Sequence, residues 1–156
     1  MASLLPTVPR VVFSIIEPIS LVAGFAGAML DTPWFVSEQI PQAEPFDVHK
    51  TSIVLAWQLG NLYLLMAFMG VAILYGTSEL KVVRNYLFVL WLGDIGHVGF
   101  SCYGMGMERL MRPREWNAIA SGNITFTVFL FLMRSTYFLG FWGTSKAAVS
   151  STKKTL

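Results

Sequence analysis

Seven polar or ionisable side chains interrupt long apolar runs in this chain: Glu17, Gln58, Asn61, Asp94, His97, Asn123 and Arg134. A charge buried at bilayer depth costs about 2.5 to 3.5 kcal/mol on insertion scales, so such a residue needs a partner or a task. Helical spacing aligns them with one another. Glu17 shares a stripe with Ser20, Gly24 and Ala28; Gln58 with Asn61 and Leu65; Asp94 with Trp91, His97 and Ser101; Asn123 with Thr127 and Arg134. Glu17 lies about seven residues in from Arg10 and Arg134 about seven or eight in from Trp142, matched depths that predict an ion pair. Asp94 and Asn61, each about ten residues into a span, come near the midplane. With no third cation expected at its depth, Asp94 is expected to be protonated, to bond His97 and Asn61, or to face a wet cavity.

Two carboxylates in unlike settings, one beside a cation and one without, can supply an acid and a base from one site. The chemistry these parts suit is proton transfer on a lipid-soluble substrate. Asp94, His97 and Glu17 are the candidate catalytic residues, and Gln58, Asn61, Tyr63, Trp91, Asn123 and Arg134 the candidate substrate-binding ones. A protonated Asp94 in an apolar cavity could protonate an alkene or epoxide, with Trp91, Trp57, Tyr63 and Phe100 steadying a carbocation through their ring faces. A plainer reading stands beside this one. Glu17 and Arg134 can be a structural link, the three amides can merely hold helices together, and Ser20, Gly24 and Ala28 can be a close-packing face.

Other chemistries fit poorly. Asp94, His97 and Ser101 have the residue types of a hydrolase triad, but one straight helix seldom aims all three at one atom, and no Gly-x-Ser-x-Gly elbow occurs. There is no His-x-x-x-His or Glu-x-x-His pair, and His49 sits in a loop, so neither a metal nor another cofactor is expected. No phosphate loop or dinucleotide fingerprint appears. The sequon at Asn123 falls within or at the edge of a span, too close to the bilayer for glycosylation.

The elements that must position these residues follow from composition. Of 156 residues, 54% are hydrophobic and 13% charged, a balance foreign to water-soluble domains. Spans are expected at about 11–30, 51–75, 85–105 and 118–142, forming an all-α transmembrane four-helix antiparallel bundle over residues 1–143. Glu17 and Pro18 spoil the first run as a signal sequence despite its Ala26-Gly27-Ala28 end. The segment from Asp31 to His49, with Glu38, Glu44 and Asp47, reads as an acidic loop on the membrane face. A short turn at Gly76 to Glu79 makes spans two and three antiparallel neighbours. The stretch from Glu108 to Asn117 is charged and amphipathic, with Trp116 suited to the headgroup layer, and the tail 144–156 is expected to be disordered. Arg10, Lys81, Arg84, Lys146, Lys153 and Lys154 outnumber Lys50, Arg109, Arg112 and Arg114, which favours both termini in the cytosol. The lone Cys102 excludes an internal disulfide, and scattered basic residues exclude nucleic acid as a partner.

The residues Glu17-Pro18, Gln58-Leu59-Gly60-Asn61-Leu62-Tyr63 and Asp94-Ile95-Gly96-His97 resemble a group of small fungal four-span integral-membrane proteins. More loosely, the chain is similar to the fungal integral-membrane terpene cyclases and to sterol-isomerase-like bundles, from the first of which it departs in having four spans rather than about seven. The resemblance implies a place beside pathways for terpenoid or polyketide natural products. Together with the polar centre, this gives the expectation of a multi-pass protein of the endoplasmic reticulum, an acid-base isomerase or cyclase acting on an isoprenoid or polyketide-type substrate in natural-product biosynthesis. The alternative is a non-enzymatic lipid-binding or scaffold protein. The expected partners are the bilayer, a hydrophobic small molecule and a second copy of the chain.

Overall fold

The computed structural model describes residues 4–41 and 47–143. Glu44 of the expected acidic loop and the tail 144–156 lie outside these residues. Among the described residues run six α-helices and no strand: α1 (Thr7–Leu30), α2 (Thr32–Ser37), α3 (Lys50–Gly76), α4 (Leu80–Met105), α5 (Met107–Leu110) and α6 (Ala118–Phe138). A 3-10 turn, Pro113–Glu115, precedes α6.

Helices α1, α3 and α6 are long and apolar enough to cross a membrane. That is three, where the sequence suggests four. Helix α4 has the length, at 26 residues, but Lys81, Arg84, Asp94, His97 and four glycines dilute its apolar character. It also begins at Leu80 rather than near residue 85, because Thr77 accepts from the Glu79 N–H at 3.1 Å and turns the chain back at once. Helix α6 ends at Phe138, short of 142, where Gly140 takes a positive φ of 79° that side chains other than hydrogen rarely adopt. Much of the outer surface is large and apolar, as with Leu30, Phe100 and Leu132. Such a surface is far beyond what a water-soluble monomer exposes.

Helix α1 packs along α3 and α4 along α6. The first pair approaches through small residues: a Cβ on Gly60 would sit 2.9 Å from that of Ala28, and one on Gly24 would meet the Tyr63 ring at 3.0 Å. At the end where the chain enters α1, an apolar core joins Val12, Phe13, Leu74, Val83, Leu87, Leu130 and Met133. Here α3 and α4 touch, with Tyr86 against Gly70. At the other end the core divides into two clusters, around Ala28, Phe35 and Ala56 and around Met105, Ala120 and Ile124. The neighbours expected from the short turn are therefore close near the turn and apart beyond it, with cavities between them.

The segment after α1 is not simply a loop. Asp31 caps α2 by accepting from the Trp34 N–H at 3.0 Å, and Pro33 sits in its first turn, where a missing N–H costs nothing. The side-chain amide N–H groups of Asn117, the cap of α6, donate to the Glu38 backbone carbonyl (3.0 Å) and to the Glu38 carboxylate (2.7 Å). The two connections expected on one side of the membrane are thus tied together at the same end of the molecule.

Candidate functional site

The proline after Glu17 has no N–H to give to the Ser14 carbonyl, and the helix answers with a π-helical turn, Val12–Ile16, just before it. Phe13, Ser14 and Glu17 are buried as a result. Helix α6 carries a second π-helical turn, Gly122–Phe126, with Asn123 inside it.

Arg134, which is wholly buried, bridges two carboxylates. One nitrogen donates to Glu17 and the other to Asp94, the second at 2.6 Å. Its guanidinium carbon lies 5.2 Å from the Phe13 ring centre, within cation–π range. The expected Glu17–Arg134 link is present, but the expectation that Asp94 lacks a cation fails. Depth alone pairs Arg134 with one carboxylate, whereas α6 packs along α4 and the two nitrogens of the guanidinium fork each meet a carboxylate, Glu17 on α1 and Asp94 on α4. With both carboxylates ionised this triad carries one net negative charge. The Arg134 Nε and the Ser14 hydroxyl, both buried, have no partner among the described residues.

Two cavities adjoin the triad toward the divided end, of about 380 and 290 Å³. Tyr63, His97 and Asn123 line both of them. The larger is completed by Gln39, Leu59, Phe100 and Ser101, the smaller by Ser20, Gly24, Phe35 and Phe126. Asn123 is the polar neighbour of His97 and donates to the Gln39 side chain at 3.0 Å, which leaves its carbonyl free to accept from the imidazole. The walls are otherwise mostly apolar, as in sites for lipid-soluble ligands.

Of the residues expected to form one centre, His97, Tyr63 and Asn123 line both cavities and Phe100 lines the larger. Glu17, Asp94 and Arg134 line neither and hold one another. Trp91 is stacked between Phe88 and Phe131 and donates to Ser135 at 2.9 Å, which makes it a packing residue. Trp57 likewise donates to Thr32 at 2.9 Å. Gln58 and Asn61 are exposed on the outer face of α3, because Ala56, Gly60 and Ala67 take the side against α1. Their expected inward stripe is overturned by the need for close helix contact, which small residues serve better than amides. Sequence reasoning missed Gln39. The Asp-x-Pro start of α2 was the available signal that the chain folds back over the cavity there.

The family described as Domain of unknown function (DUF7704) matches residues 2–144, and the chain belongs to it. No curated protein and no solved structure matches.

Proposed function

We propose that the protein is a four-span antiparallel membrane bundle that holds a lipid-soluble, isoprenoid or polyketide-type molecule between α3 and α4 and isomerises it by acid-base chemistry. The observation that carries this is the convergence of His97, Tyr63 and Asn123 on two largely apolar cavities. Helix α4 crosses as the fourth span because its buried charge, Asp94, is matched by Arg134 and its remaining charges lie near its start.

The chemistry suited to this trio is double-bond migration next to a carbonyl. His97 takes a proton from the carbon beside the carbonyl, and the released electron pair forms a dienolate whose oxygen accepts a hydrogen bond from Tyr63. The half-buried imidazolium exchanges its proton with water and then delivers a solvent-derived proton to the far carbon. The reaction is redox-neutral and restores both side chains. Asn123, itself held by Gln39, fixes the imidazole, and the Glu17–Arg134–Asp94 triad acts as a positioning element that anchors α4 one turn away. Asp94 is thus displaced from the direct proton-donor role, which passes to His97.

Microsomes containing the full chain, given a panel of isoprenoid and polyketide enones in deuterated water, should yield shifted double bonds carrying deuterium. His97→Gln should remove this incorporation while the protein stays folded. Equal incorporation with His97→Gln overturns the mechanism. Binding without turnover by the unaltered protein favours the scaffold reading, which the mutual saturation of Glu17, Asp94 and Arg134 also fits.

A further inference from the structure

Helix α3 carries an outward seam that the rest of the chain leaves uncovered. Val54, Gln58, Asn61, Leu65, Phe68 and Ala72 succeed one another at alternating steps of four and three residues, and every one is exposed. This is the heptad a/d pattern of a left-handed coiled coil, held for more than two heptads. Two of its positions are amides. Gln58 and Asn61 stand roughly 12 and 16 Å along a helix about 40 Å long, which places both inside a hydrocarbon layer of about 30 Å. Lipid tails offer an amide no hydrogen bond, so the seam has to meet a polar partner.

We infer that α3 pairs with α3 of a second copy of this chain along this seam. Copies inserted with the same topology present α3 in the same direction, so a two-fold axis along the membrane normal makes the pair parallel. In a parallel pair each a and d residue faces its own counterpart. Asn61 then meets Asn61, and Gln58 meets Gln58. An amide both donates and accepts, so each satisfies its copy without any other group. A buried polar residue at an a or d position also fixes register, which explains amides here in place of leucines. The seam lies on the face of α3 turned away from α1, so pairing leaves the cavities untouched and is independent of the isomerase reading.

The test uses the full chain with Cys102→Ser, reconstituted in phosphatidylcholine vesicles. Oxidative cross-linking should join copies carrying Val54→Cys, Leu65→Cys or Phe68→Cys, and should leave Leu55→Cys, an exposed residue off the seam, uncoupled. Energy transfer between labelled copies, followed while lipid is added, should show about tenfold weaker association when Gln58→Leu and Asn61→Leu are combined. Both changes are to exposed positions and keep the helix intact. A monomer at every dilution, equal cross-linking at Leu55→Cys, or association unmoved by the double change overturns the pairing.

Discussion

Replacing Arg134 with methionine tests the centre of the molecule most directly. The guanidinium is fully buried and is the cation that Glu17 and Asp94 both contact, each carboxylate being itself buried. Methionine fills similar space with no charge, so the change strands two carboxylates side by side. Breaking a buried ion pair by removing one partner costs about 3 to 5 kcal/mol. In a chain of 156 residues, a loss of that size lowers the midpoint of thermal unfolding by roughly 10 °C. The triple variant Arg134→Met, Glu17→Gln, Asp94→Asn carries no charge at the site and should recover most of that loss, because neutral amides can bond one another where two anions repel. Arg134→Lys should fall between, since one ammonium lacks the fork that reaches both partners. The assay is thermal unfolding in detergent for each single and combined variant. If Arg134→Met costs the same to within about 0.5 kcal/mol whether or not the carboxylates have been neutralised, the three side chains are not coupled and the triad reasoning fails.

Gly60→Val should loosen the contact between α1 and α3, because the new Cβ meets that of Ala28 at 2.9 Å, with a stability loss of about 1 to 3 kcal/mol read from the same thermal assay. Wild-type stability in that variant would mean the helices do not approach so closely. For topology, single cysteines at Glu38 and Glu79 in a Cys102→Ser background should label from opposite faces of sealed vesicles, since α3 separates them. Labelling of both from one face would remove α3 as a span.

Much of the architecture was legible in the chain. Runs such as Val11 to Leu30 and Thr51 to Tyr75 have few alternatives to apolar helices, because a backbone surrounded by hydrocarbon must satisfy its own hydrogen bonds. The Glu17–Arg134 link was legible too, since each charge needs a counter-charge and their distances from the helix ends agree. Small residues at Gly24 and Ala28 marked a packing face, and the contact with Tyr63 and Gly60 is where that face is used.

What the chain left open was rotation and reach. Period alone puts Gln58 with Asn61 and Asp94 with His97, but it does not say which way each stripe turns. The tertiary packing decided that. Ala56 and Gly60 let α1 come close, which sends Gln58 and Asn61 outward. The missing N–H of Pro18 is visible in sequence, yet whether a helix kinks, breaks or widens into a π-helical turn depends on what surrounds it. Arg134's long side chain can meet any carboxylate within its arc, and only the assembled helices bring Asp94 into it beside Glu17. His97 parts from Asp94 for the same reason: Asp94 meets Arg134 of α6, whereas one turn along α4 the imidazole faces the cavities lined by Tyr63 and Asn123. Residue types and spacing fix which groups a helix offers on each face, whereas the partner each group meets is set by contacts between distant segments that have no local signature.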